Sequence, residues 1–431
     1  MPIPETSCLV YSEKLSPRLD YIINVLWENR AAVTNDLDEF LLFKGDRIQY
    51  TQEIVCTGVL HIQPVGLLQN QIIEAVDVHL SVWEMLPVFF QGKGEIPFDW
   101  FAASFFLISR YEEYLPFQPD AYGRFPANAS LAYRSGFLNR PLVQEWRAKI
   151  RENFRLHSLP EIKSEPVVQF TFDMDELFQF RHVSWWRQLK RGLRSLLTAD
   201  FRLLQAQYQV MAGKKPDPYD AWQSLWKSMV HLPHRPLFFF SGAEKVGGND
   251  RQLSVGHPAV KKILNRCKDE GEIGWHPSWA SYRRPDLLGD ELKRVEQVVG
   301  QTLRSSRFHY LRFQLPESYR TLTELGIQHE YSMGYGEVNG FRASYADAFP
   351  WFDLSKNEVS SLMIHPFFYM DTVAIFQQKI DPDAALQFLS NIRSQYRGII
   401  RQLQVVFHPH CLAEESWRKV AEAWMESEDN R

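Results

Sequence analysis

Apolar positions along this chain fall into short continuous runs and longer runs with helical periodicity. Continuous runs read as strands at 8–11, 40–43, 47–50 and 59–62, and then at 167–172, 236–242, 272–278, 307–312, 330–333, 340–344, 362–365 and 404–408. Helical periodicity covers 18–27, 100–114, 141–154, 219–230, 258–269, 286–300, 318–325 and 383–396. Asp99 stands where the second helix needs an N-cap, and that helix is apolar around its whole circumference, which predicts burial. Strands alternating with helices after residue 160 predict a parallel α/β sheet, closed into a distorted (β/α)7-type barrel. A smaller α/β or α+β domain over 1–160 precedes it, with the polar, proline-flanked stretch 158–166 as the linker and the barrel over 161–431.

One stretch departs from the alternation. Near 181–232 the pattern predicts a helical insertion, in which Trp185, Trp186, Leu189, Leu193, Leu196 and Leu197 are interleaved with Arg187, Lys190, Arg191 and Arg194. Such a helix either packs on the body through its apolar stripe, the commoner arrangement, or lies on an anionic membrane. The charge of the whole chain, −4 over 431 residues with both signs mixed, provides no footprint for nucleic acid. Four scattered cysteines without metal spacing fit a reduced, cytoplasmic protein. No basic-then-apolar leader opens the chain, and the apolar run at 100–109 is too short to span a bilayer.

The chemistry gathers at strand ends. Asp173 and Asp175 follow the 167–172 run, His276 follows the next strand but one, and Arg307 and His408 close later strands. Taken singly, each has a bland reading, an Asp-rich turn or a hydrogen-bonded structural histidine. A barrel would bring them all to one rim, where such folds place chemistry. Glu112 and Glu113, at the end of the apolar helix, read as structural ion-pair partners of Arg124, Arg134 or Arg140.

In order along the chain, Thr171-Phe172-Asp173-Met174-Asp175, His276-Pro277-Ser278-Trp279-Ala280, Arg307-Phe308-His309-Tyr310 and Val406-Phe407-His408 resemble the motifs of the polysaccharide deacetylase family of the NodB-homology type. Arg110-Tyr111-Glu112-Glu113-Tyr114, Gly123-Arg124-Phe125-Pro126 and Gly340-Phe341-Arg342-Ala343 extend the resemblance to a bacterial subgroup with an extra N-terminal domain of unassigned function. It implies a hydrolase that removes an N- or O-linked acetyl group from a carbohydrate with a divalent metal, zinc first and cobalt or nickel as alternatives. By the same resemblance Asp173 is the general base, His408 the general acid, Arg307 the residue orienting the base, and Asp175 and His276 are metal ligands. Trp275, Trp279, Tyr310, Arg312, Arg342 and Trp351 become candidate sugar contacts, with core packing the alternative for the aromatic ones. Two departures stand out. Ala280 replaces the family's distal histidine, and Asp175 is displaced by one position from the usual aspartate pair. Ser281, His309, His365, Asp371 and His410 are open candidates for a third ligand. A catalytically lapsed barrel that binds a glycan or a partner is the alternative, and a membrane-surface scaffold acting through the basic helix is a third reading.

Overall fold

A computed structural model describes residues 6–198, 201–244 and 248–429. Residues 1–5, within the segment read for a leader, lie outside the described residues, as do 199–200 in the helical insertion. The chain divides into two compact units. The first combines Met1–Pro166 with Phe313–Phe368 and Arg393–Leu403, and the second combines Val167–Arg312 with Tyr369–Ile392 and Gln404–Arg431.

In the first unit, four parallel strands lie in the order Ala31–Thr34, Cys8–Tyr11, Asp46–Tyr50, Leu60–Ile62. The stretch 40–43, expected to be a strand, belongs instead to a helix, Leu37–Leu42. Asp36 accepts from the amides of Asp38 and Glu39, and this cap turns the apolar run into one helical turn that buries only Phe40. The apolar helix runs over Trp100–Ile108, capped by Asp99 and buried at every position, as its sequence predicts. It stops earlier than 114 because Arg110 takes a left-handed conformation (φ 56°) that starts a separate turn over Tyr111–Tyr114. Glu112 and Glu113 do form ion pairs, but buried ones, and with other partners than expected. Glu113 holds Arg110 at 2.7 Å and Arg342 at 2.7 Å, and Glu112 holds Arg110 at 2.9 Å.

The second unit is built on a sheet of short strands in the order Ser305–Ser306, Glu272–Trp275, Leu237–Phe240, Val167–Asp173, Gln402–Phe407, Tyr369–Met370. The pairs with a defined register are parallel. Val167–Asp173 is central, which explains its continuous apolar character, since strands covered on both faces need no polar alternation. Phe172 stacks on Phe238 and lies near Phe407, its neighbours on either side. The strand order is open, with no pairing that joins its ends, so no closed barrel forms among the described residues. The strand expected at 307–312 is mostly a turn. Pairing ends at Ser306, and His309–Leu311 forms a single 3-10 turn with Tyr310 left-handed at φ 59°. Helices Pro258–Glu270 and Pro285–Val299 follow their strands as the periodicity predicts.

The insertion forms two helices, Trp185–Leu197 and Phe201–Met211. Its base is closed by Asp217, a buried carboxylate that accepts from the amides of Gln179, Phe180, Arg181 and Tyr219 at 2.8–3.1 Å. Among the described residues, no helix is long and apolar enough to cross a membrane.

Candidate metal and acid–base site

Asp173 ends the central strand and is almost fully buried. Arg307 Nη1 donates to its Oδ1 at 2.8 Å and to Thr171 Oγ1 at 2.9 Å, while the Thr171 hydroxyl donates to the Val405 carbonyl at 2.7 Å. The guanidinium lies over the Phe239 ring, 4.6 Å from its centroid, so ring and carboxylate together fix its plane. A buried arginine in this position holds the carboxylate still.

Two residues on, Asp175 meets two imidazoles, with Oδ1 3.0 Å from His276 Nε2 and 3.5 Å from His309 Nε2. These are the donor atoms of a three-residue cluster lying within 4.8 Å of one another. His276 Nδ1 faces the backbone carbonyl of Arg307, which fixes a proton on Nδ1 and turns Nε2 toward Asp175. Asp175 Oδ1 and His276 Nε2 are both buried, and neither has a hydrogen-bond partner outside this cluster. At 3.0 Å such atoms are held together in the interior either by a proton on Nε2, which makes them an ion pair, or by a cation that both ligate. Tetrahedral zinc with bonds near 2.1 Å sets donor separations of about 3.4 Å, which is the scale of this cluster. One carboxylate oxygen and two imidazoles, each imidazole oriented through its other nitrogen, are therefore a donor set that fits a divalent ion.

His309 is oriented by Asp250, whose Oδ1 accepts from its Nδ1 at 3.1 Å. The same carboxylate accepts the amides of Trp279 at 2.8 Å and Ala280 at 3.1 Å. Asp250 thus ties the third donor to the loop in which the expected distal histidine is replaced by alanine. Glu291 secures that loop from the helix side by accepting the Ser278 amide at 3.0 Å. The fields inside the cluster are strong. Burial alone would lower the pKa of His309, but the Asp175 and Asp250 carboxylates push it up to about 10. Burial would raise that of Asp175, yet the imidazoles of His309 and His276 hold it well below the usual carboxylate range.

Opposite the imidazoles stands His408, with Nε2 3.8 Å from Asp173 Oδ2 and 3.7 Å from Asp175 Oδ2. Asp371 grips it twice, accepting from Nδ1 at 2.6 Å and from its backbone amide at 2.7 Å. Burial would lower the pKa of His408, but Asp371, with Asp173 and Asp175 behind it, brings it up to about 9, so the ring carries a proton at neutral pH. His410 lies beside it, with ring centroids 5.4 Å apart, and burial and the neighbouring His408 hold it neutral.

The remaining candidates separate by burial. Trp279, Tyr310 and Arg312 form a half-buried shelf in the second unit. The Arg312 guanidinium lies 3.9 Å from the Trp279 centroid, Tyr310 meets Trp279 edge-on at 5.3 Å, and the Tyr310 ring lies 4.5 Å from that of His309. Trp275 is fully buried in its strand. Arg342 and Trp351 belong to the first unit and are buried there, Arg342 against Glu113 and Trp351 donating to the Tyr114 hydroxyl at 3.3 Å. Of the open third-ligand candidates, His309 joins the cluster, Asp371 orients His408, and His365 belongs to the first unit, where it bonds His329. Sequence reasoning did not single out Asp250. It falls in a Gly-Gly-Asn-Asp loop whose composition signals only a turn.

Comparison with known proteins adds little to this geometry. A family of unknown function (DUF7033) matches residues 8–157. No curated protein matches the chain. A Mycobacterium smegmatis protein that carries the polysaccharide deacetylase name aligns with 62% of this chain and 85% of its own at 15% identity, with a TM-score of 0.41. Wild-type BA3943 of Bacillus anthracis, described as a CE4 family pseudoenzyme, aligns at 11% identity over 62% of this chain and 64% of its own, with a TM-score of 0.31. A mutant of BA3943 with restored enzymatic activity aligns at 11% identity over 63% of this chain and 66% of its own, with a TM-score of 0.33.

Proposed function

We propose that the second unit is a metal-dependent hydrolase that removes an acetyl group, N- or O-linked, from a carbohydrate. The observation that carries the reading is the cluster of donor atoms in which Asp175 Oδ1 and His276 Nε2 lie 3.0 Å apart, completed by His309 and flanked by a carboxylate and a protonated imidazole. A divalent ion held by Asp175, His276 and His309, with zinc, cobalt or nickel all suited to these donors, would polarise the acetyl carbonyl and lower the pKa of a nearby water. Asp173, held in place by Arg307, takes the proton of the attacking water. His408, charged through Asp371, gives its proton to the departing amine or alcohol oxygen, so that acetate and a free sugar group result. The Trp279, Tyr310 and Arg312 shelf is the proposed sugar contact, since flat aromatic faces suit the apolar faces of pyranose rings.

The test is metal analysis of the purified full chain together with acetate release from a panel of acetylated sugars. Near-stoichiometric metal is expected, with activity that Asp173→Asn lowers by ~10²–10⁴-fold while the metal content is kept. Metal-free protein inactive on the whole panel overturns the reading. Ala280 favours a second reading, a glycan-binding unit that has lost turnover. It predicts sugar binding that is insensitive both to chelator and to Asp175→Ala.

A further inference from the structure

The first helix of the insertion is turned the wrong way for a helix that belongs to a protein core. In Trp185–Leu197 the side facing the rest of the unit is polar or small. Ser195 is the one buried residue, Gly192 approaches the side chains of Leu204 and Gln207, and Gln188 donates to the carbonyls of Phe180 and Val183 at 3.1 and 3.0 Å. Arg191 donates to the Gln179 carbonyl from the same side. The apolar stripe points out. Trp185 is 63% exposed, Trp186 57%, Leu193 51% and Leu197 88%, and Leu189 and Leu196 lie between them on the same face. Phe201 and Tyr208 of the second helix are also exposed. The expected packing of this helix by its apolar stripe is therefore not what the structure has. The polar attachments hold the helix, and they leave an apolar face of helix length in solvent, which monomeric proteins rarely carry without a use.

We propose that this face docks on an anionic phospholipid bilayer, with the helix lying in the interfacial plane. Charge selects that occupant. Residues 181–216 contain eight Lys and Arg and one acid in a chain whose net charge is −4. Lys190 and Arg194 border the stripe one turn apart, and their long stems let the charges reach headgroups while the leucines enter the acyl boundary. Trp185 and Trp186, stacked at 3.8 Å, sit at the start of the stripe and are of the residue type that anchors at membrane interfaces. A second copy of this chain is disfavoured as the occupant, because it would press one cationic rim against another.

Vesicle flotation of the full chain provides the test. Binding to vesicles with about 30% phosphatidylglycerol, at least ~10-fold stronger than to phosphatidylcholine alone and weakened by salt, is expected. W186S/L193S is expected to abolish it by removing apolar insertion, and K190E/R194E by reversing the charge, each at an unchanged melting temperature because these side chains are exposed. Equal or absent binding to the two vesicle types overturns the proposal. So does anionic binding that both variants retain, or a wild-type dimer that W186S/L193S dissociates while vesicles remain unbound. None of these outcomes depends on hydrolysis, so the docking proposal and the deacetylase reading stand or fall separately.

Discussion

The substitution of one histidine by another organises the site at the residue level. Ala280 leaves a gap in the expected ligand motif, and in the proposed site His309 takes the place of the missing nitrogen from a different segment, with Asp250 bonded to both places. Asp250→Asn keeps the size of the side chain and its accepting oxygen but loses the charge that makes His309 a good donor. Metal affinity is expected to fall about 10–100-fold, read by chelator competition, with the fold retained. Asp173, Asp175, His276 and His408 were legible because each follows an apolar run, and a run of that kind marks where a strand stops, whereas Arg307 follows the polar Arg304-Ser305-Ser306 and stood out only through the family resemblance. His309 was only one of five candidates. Its position is set by the left-handed turn at Tyr310, and a single aromatic residue in the sequence carries no sign of a positive φ. Asp250 and Asp371 work through other side chains, at distances along the chain that no local motif spans.

At the level of elements, the central strands and long helices were readable to within a residue or two, and the exceptions have local causes. Residues 40–43 have strand composition, but the Asp36 cap supplies the bonds that a helix start lacks. The outward face of Trp185–Leu197 was hidden for another reason. Periodicity reveals that a helix has an apolar side but not what that side meets. A pH effect belongs to this scale as well. At the end of the Glu358–Ile364 strand, His365 shares a 2.9 Å hydrogen bond with His329 on the neighbouring His329–Glu330 strand. Burial, with His329 adding, pushes His365 down to about 3. An unfolded histidine titrates near 6.5, so the unfolded chain takes up the proton first. This contribution to stability is full above about pH 6.5 and declines as the pH falls toward about 3, losing roughly 1–2 kcal/mol by about pH 5. Urea midpoints measured between about pH 7.5 and 5 should therefore fall less for His365→Phe than for the wild type.

For the molecule as a whole, the division into units does not follow the chain from one end to the other. Every member of the proposed site lies in the second unit, and the match to a family of unknown function lies in the first. The first unit also draws on Phe313–Phe368, and Arg342 from that segment is buried against Glu113. A fragment of residues 161–431 keeps Arg342 and loses Glu113, and leaving one charge of a buried pair unmatched costs about 3–5 kcal/mol. Such a fragment is expected to lack the cooperative thermal transition of the full chain, as differential scanning calorimetry would show. The insertion is attached on a different plan. Asp217 gathers the amides of Gln179, Phe180 and Arg181 ahead of the two helices and that of Tyr219 behind them, so the two ends of the helical pair are tied at one carboxylate before the chain reaches the strand end that carries Asp175. The arrangement acts as a strain relief, like the clamp where a cable enters a housing. A displacement of the helices meets this clamp before it meets the donors behind it.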